Sequence, residues 1–238
     1  MYKETLGIVG GFGAYATLNF YKRVLEVFAS ESERNYPHII MDNNFTMPSR
    51  TRALLYDEYF DEIVCDIKDS IQRLMSQEAK KIVLVCGTAH YFLPSVYKEL
   101  PGAADCVVDI IDALGERMQQ EDKKEALVIA AEGALKKELY SKRLEAYGVD
   151  CESPSEEMYQ EIRFFIEAVK RNELNTSVAE RYKTFLENYS TSNIILGCTE
   201  FPVLTEYIRN KCDCQWIQEY TFWDPLELVL KKLKRELV

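Results

Sequence analysis

Short β-rich runs alternate with longer amphipathic stretches along the whole chain, and this alternation limits the fold more than any other feature. Leu6–Gly10, His38–Met41, Lys81–Val85, Ala126–Ala130 and Asn193–Leu196 each read as a short strand bounded by Gly or polar residues. Ala16–Ala29, Tyr56–Ser76, Glu156–Lys170 and Val178–Tyr189 carry apolar residues at helical spacing. Pro225–Leu237 reads as a final helix, with Lys231, Lys232, Lys234 and Arg235 as a solvated face that suits the negative end of its dipole. Strands separated by helices are joined by crossovers, which produce parallel sheets covered by helices. The fold class is α/β. A length of 238 residues with 47% hydrophobic side chains suffices for one large domain or two small ones.

A second pattern decides between these. Leu6-Gly7-Ile8-Val9-Gly10-Gly11-Phe12-Gly13 is echoed by Leu127-Val128-Ile129-Ala130-Ala131-Glu132-Gly133, and both read as strand, small-residue turn, helix. Ile82-Val83-Leu84-Val85-Cys86-Gly87-Thr88 is echoed by Ile194-Ile195-Leu196-Gly197-Cys198-Thr199-Glu200. The copies lie about half a chain apart. Two pseudo-symmetric α/β domains, each with a mainly parallel sheet flanked by helices, explain the echo economically. The expected division places residues 1–106 and 215–238 in the first domain and residues 107–214 in the second, so that the last helix returns to the first.

Composition excludes several classes of function. The net charge of −10 offers no basic face for a nucleic-acid backbone. No apolar run approaches the ~18 residues of a membrane helix, and Met1-Tyr2-Lys3-Glu4 leads into a strand pattern rather than a signal peptide. The seven cysteines are odd in number and scattered, unlike a secreted disulfide framework. Reduced thiols in the cytoplasm are expected.

Among those thiols, Cys86 and Cys198 stand where a buried strand gives way to a helix, the edge at which α/β proteins hold ligands. The helix N-terminus should lower a thiol's pKa there. A single such cysteine is most simply a small packing residue, but two in matched positions suit a different task. Thiols facing one substrate from opposite sides can remove a proton from one face and return one to the other, which inverts a stereocentre. Such a pair should sit too far apart for a disulfide, which needs Cα atoms within roughly 7 Å.

Gly10-Gly11-Phe12-Gly13 with Ala16-Thr17 and Phe20-Tyr21, Pro48-Ser49-Arg50-Thr51, Cys86-Gly87-Thr88-Ala89-His90-Tyr91-Phe92, Glu132-Gly133 and Gly197-Cys198-Thr199-Glu200-Phe201-Pro202 together resemble the aspartate/glutamate racemase family, in order and over nearly the whole chain. The resemblance implies amino-acid racemisation without pyridoxal phosphate or any other cofactor, and without a metal. It further implies an active site in the cleft between two domains, paired cysteines matching Cys86 and Cys198 as acid and base, a small amino-acid substrate, and a homodimer. Departures concern the polar anchors. The family usually has Asn where this chain has Gly87, Pro where it has Ala14, and threonines where it has Ala131 and Ala134. Gly87 should therefore leave space for a larger or less polar substrate. A hydantoin racemase, a maleate-isomerase-like enzyme and a non-catalytic amino-acid-binding relative are the alternatives.

Supporting residues follow. The family places a carboxylate-binding arginine where this chain has Arg50, whose fork suits a bidentate grip. Thr88 and Thr199 can donate to a substrate carboxylate beside the helix amides, or simply cap their helices. Glu200 can hold the substrate ammonium, orient a thiol, or complement the helix dipole. The glycine turn containing Gly11 brings backbone amides close to a small anionic group, since it lacks the spacing of a dinucleotide fingerprint. His90 reads as structural. Cys212 and Cys214 lack a histidine partner, so no zinc site is expected; Cys65, Cys106 and Cys151 read as packing residues.

Overall fold

Leu6 and Ile8 on one face of the first strand, with Val9 on the other, are fully buried, so this strand must lie between two layers. It does: in the computed structural model, which describes residues 4–30, 32–212 and 214–237, β1 (Thr5–Gly10) is the central strand of a parallel sheet. Its neighbours are β2 (Ile39–Asn43) and β3 (Ala79–Leu84). Between these strands run α1 (Ala14–Val27), α2 (Arg50–Tyr56) and α3 (Phe60–Ser76), and after β3 come α4 (Leu93–Glu99), α5 (Ala103–Cys106) and α6 (Ile110–Gln120). Leu6 and Ile8 join a large core with Phe20 and Val24 of α1 and Leu114 of α6. Val9 joins a second core with Ile63, Ile67 and Ile71 of α3. Burying each such side chain contributes about 1.5–3 kcal/mol.

The second sheet repeats the plan. Its central strand β4 (Glu125–Ile129) leads into α7 (Glu132–Lys136) and α8 (Leu139–Leu144), then β5 (Asp150–Glu152), α9 (Tyr159–Lys170) and α10 (Thr176–Leu186). Strand β6 (Asn193–Leu196) precedes α11 (Glu200–Lys211), β7 (Thr221–Trp223) and α12 (Pro225–Glu236). The strand order β5-β4-β6-β7 has the same sense as β2-β1-β3, and every pair is parallel. Even the fourth position recurs, because Val107 bridges Ile82 in parallel beside β3, where the second sheet has β7 beside β6.

After β7 pairs with β6, α12 packs on both α6 and α1.

The symmetry extends to a clasp at the seam. Asp109 caps α6 by accepting from the Ile111 and Asp112 amides, and Asp224 caps α12 by accepting from those of Leu226 and Glu227. Arg143 of α8 donates to Asp109 at 2.8 Å and Asp112 at 2.5 Å. Arg23 of α1 donates in the same way to Asp224 and, at 2.7 Å, to Glu227. Each half thus supplies an arginine to the helix that follows the other half's last strand position, and α6 packs against α12 between them.

Two differences from the sequence reading are local. The stretch Tyr56–Ser76 is not one helix, because Asp57 (φ 55°) and Tyr59 (φ 59°) adopt left-handed backbone that separates α2 from α3. The apolar spacing runs through this break, so pattern alone does not reveal it. Strands β5 and β7 have three residues each, too short for an alternating pattern to register.

Candidate active site

Cys86 lies just beyond the carboxyl end of β3 and Cys198 just beyond that of β6, and both thiols are free. They line one cavity of about 440 Å³, the only cavity described here that holds either thiol. Arg50, Gly87, Thr88, Thr199 and Glu200 line it too, so residues far apart in sequence converge on one space. Gly11 does not. Its positive φ of 86° and the close approach of the Asn44 backbone leave no room for a side chain, and its amide donates to Thr17 Oγ1 at 3.3 Å. The neighbouring Phe12 forms the wall instead.

Cys198 opens α11 in company with Glu200. Its thiol donates to Glu200 Oε2 at 2.9 Å, and the Thr199 hydroxyl donates to the same oxygen at 3.3 Å. The other carboxylate oxygen, Oε1, reaches the glycine turn of the first half, where a Cβ on Gly13 would lie 3.0 Å from it. Burial pushes the Cys198 thiol well up because it disfavours any thiolate, and the Glu200 carboxylate pushes it further because it disfavours a second negative charge beside it. This reverses the expectation that the helix N-terminus makes Cys198 a ready thiolate. The amide of Glu200 does pull in that direction, but it is outweighed. Thr199 occupies the cap position of α11 without making a capping bond, which leaves its hydroxyl on the cavity side with Glu200.

Cys86 has different company. Among the described residues, no side chain is hydrogen-bonded to its sulfur; the nearby imidazole of His90 is bonded to its carbonyl oxygen, with Nδ1 at 2.9 Å. The Ile110 amide at the start of α6 points at Nε2 from 3.5 Å. A ring that donates from Nδ1 and accepts at Nε2 is neutral, and burial holds His90 below its ordinary pKa, which favours that form. His90 therefore ties the Cys86 turn to α6 and does not line the cavity, as a structural histidine would.

Arg50 begins α2 and curls back over the glycine turn. Its Nη1 donates to Pro48 O at 2.9 Å, Nη2 donates to Phe12 O at 2.7 Å, and the guanidinium lies 5.0 Å from the Phe12 ring centre. Its Nε is buried without a partner, and among the described residues no carboxylate pairs with it. The other cations of the cavity are committed: Arg163 grips Glu132 with two bonds of 2.9 Å, and Lys170 donates to Glu167 at 3.2 Å. The site thus keeps one cation, Arg50, with no acidic partner.

The space beside Gly87 is not vacant. A Cβ at Gly87 would collide with the Tyr140 hydroxyl and the Gly197 carbonyl. Gly87 lines the cavity with its backbone, but a side chain there would drive into Tyr140, so no room for a bulkier substrate arises from it.

Sequence reading misses the wall made by α9. Ile162, Arg163, Ile166, Glu167 and Lys170 present one face of that helix to the cavity. The apolar part of that face reads as ordinary core, yet the charges interleaved with it at helical spacing were the available signal. Among the described residues no helix is long and apolar enough to cross a membrane, and no cluster of three His, Cys, Asp or Glu side chains is placed to hold a metal ion.

Comparison with known proteins shows the family. The sequence profile described as Asp/Glu/Hydantoin racemase matches residues 9–222. A glutamate racemase of Pediococcus pentosaceus is 32% identical over 149 residues, which is 57% of this chain and 51% of that protein. One from Limosilactobacillus reuteri is 30% identical over 146 residues, 58% of this chain and 51% of its own. The alignments thus span about half the length of these curated relatives. In three dimensions, Picrophilus torridus aspartate racemase superposes with a TM-score of 0.81 at 20% identity, covering 99% of this chain and 94% of the other. Glutamate racemase from Campylobacter jejuni gives 0.68 at 19% identity, covering 98% and 85%. At these identities the likeness is one of fold.

Proposed function

The chain belongs to the Asp/Glu/Hydantoin racemase family, and from that premise we propose that it racemises a free acidic amino acid, aspartate or glutamate, by proton transfer between Cys86 and Cys198. The observation that carries this reading is a cavity holding two free thiols from matched turns together with Arg50, a cation with no carboxylate partner among the described residues. A substrate carboxylate supplies the missing counter-charge. That carboxylate distinguishes a free amino acid from a hydantoin, whose uncharged ring would leave Arg50 unmatched.

The two thiols then divide the work. In one direction Cys86 removes the α-proton and the protonated Cys198 delivers its own proton to the opposite face, so one C–H bond breaks as another forms and no electron is gained or lost. In the reverse direction the Cys198 thiolate left by that step removes the α-proton and the Cys86 thiol returns its own, while Glu200, 2.9 Å away, accepts a hydrogen bond from Cys198 whenever that thiol is protonated. The α-carbanion develops charge on the substrate carboxylate, and Arg50 and Thr88, which line the cavity, are the groups that would stabilise it. Preorganised donors of this kind spare the transition state the reorganisation that water would need.

No organic cofactor or metal enters this scheme. Seven free thiols suit the reducing cytoplasm. The exposed Leu18 and Leu25 of α1, with Tyr15, support assembly as a homodimer, which light scattering would reveal. The decisive experiment is chiral analysis of a panel of L- and D-amino acids incubated with the protein. Racemisation of aspartate or glutamate is the expected result. Conversion confined to uncharged amino acids would refute the substrate class, and no conversion at all would favour a binding protein.

A further inference from the structure

We propose that Tyr140 is a positioning residue that sets the spacing of the two cysteine turns, through a phenol wedged between the residue after Cys86 and the residue before Cys198. The proposal rests on the two-thiol reading above. Tyr140 lies on α8 and is 1% exposed. Its hydroxyl donates to the Gly197 carbonyl at 2.9 Å. The same hydroxyl occupies the place that a Cβ on Gly87 would take. Its ring edge lies against Gly197, where a Cβ would come 2.9 Å from Cε2 and 3.1 Å from Cζ.

The two glycines flanking the thiols therefore share one explanation. Each lacks a side chain where the same aromatic ring passes, one on the first-half turn and one on the second. The ring is rigid, so the separation of the turns follows the ring and its hydroxyl bond, not a flexible chain. Burial and the nearness of Cys198 and Cys86 hold the phenol well above its ordinary range, so it remains a proton donor to Gly197 wherever the enzyme works. Tyr140 does not line the cavity. Its influence on the reaction passes through the backbone on which the thiols are mounted. Proton transfer between two bases is sensitive to such placement, since displacements near 1 Å can cost about 100-fold in rate.

The test compares Tyr140→Phe, which keeps the ring and removes the hydroxyl bond, with Tyr140→Leu, which removes both. In Tyr140→Phe, kcat for racemisation should fall about tenfold, the scale of one lost neutral hydrogen bond, with KM and Tm close to wild type. Solvent deuterium should still enter the substrate, so that exchange per racemisation event rises; a loss of folded protein would lower both in proportion. Independently of turnover, a short bis-electrophile should join Cys86 to Cys198 in the wild type, with a yield, read by peptide mass mapping, that drops at least twofold in Tyr140→Phe and further in Tyr140→Leu. Wild-type values for both the exchange ratio and the cross-linking yield in Tyr140→Phe would overturn the proposal. If the wild type racemises nothing, the proposed function fails, and the cross-linking comparison alone still decides the role of Tyr140.

Discussion

The turn after β3 and the turn after β6 hold their thiols at matched points of two like sheets, yet the sulfurs meet different neighbours. Cys198 is bonded to the Glu200 carboxylate and is pushed up by burial and by that charge. Cys86 has no carboxylate bonded to its sulfur among the described residues, and the side chain four positions on, His90, is a buried imidazole held on the Cys86 carbonyl. At the equivalent point after Cys198 stands Pro202, which cannot titrate. The two halves share the backbone plan that carries each thiol to the cavity, while the surrounding side chains differ. Matched turns thereby hold one thiol bonded to a carboxylate and another, among the described residues, without one.

The strongest way to break the comparison is to remove each sulfur in turn. Cys86→Ser and Cys198→Ser should each lower racemisation by about 10²–10⁴-fold, since a serine hydroxyl cannot supply the conjugate base at neutral pH. Each variant should still exchange deuterium into one enantiomer, and the two variants into opposite ones. Proton NMR in heavy water reads this directly, and exchange into the same enantiomer in both would disprove opposed bases.

Next in size is Gly87→Asn. The side chain would collide with Tyr140 and the Gly197 carbonyl, and overpacking of this kind costs about 1–3 kcal/mol. Denaturant unfolding should show that loss together with reduced racemisation. Unchanged stability with faster aspartate turnover would mean that the space beside Gly87 is open after all.

Glu200→Gln should free Cys198 of its carboxylate partner. Without that charge the Cys198 thiol moves down, burial still holding it above its ordinary range, so alkylation of Cys198 by iodoacetamide near pH 8 should quicken. The alkaline limb of the rate profile should shift to lower pH with it. Alkylation at the wild-type rate would show that burial alone governs Cys198.

The smallest effect concerns His90. Its folded pKa lies below the ordinary 6.5, so the unfolded chain binds a proton that the folded chain refuses. The stability this represents is present above pH ~6.5 and is lost as the pH falls toward the folded value. His90→Asn should flatten the decline of Tm between pH 7 and pH 5, by about 2–4 °C for each kcal/mol involved. A slope identical to wild type would place the acid sensitivity elsewhere.

Much of this arrangement is legible in the chain alone. The alternation of strand and helix patterns, the echo of Leu6–Gly13 in Leu127–Gly133, and the paired Cys–Thr turns specify parallel sheets, a duplicated plan and thiols at the strand ends, because hydrophobic period and turn chemistry are local properties. The repeated clasp of Arg23 on Asp224 and Arg143 on Asp109 is invisible there, since its partners lie 201 and 34 residues apart and nothing local links them.

The same distinction runs through the site. Sequence pointed to most of the residues that line the cavity: Cys86 and Cys198 from the strand-end pattern, Thr88, Thr199 and Glu200 beside them, and Arg50 through the family resemblance, while it also pointed to Gly11, which does not line it, and missed the α9 wall. Tertiary structure decided what each of them is. It gave Glu200 to the Cys198 thiol, left Arg50 without an acidic partner, and filled the space beside Gly87 with Tyr140 from the other half. Charge state and free volume depend on every neighbour within a few ångströms, whatever its place in the chain, and a sequence orders residues along one dimension only.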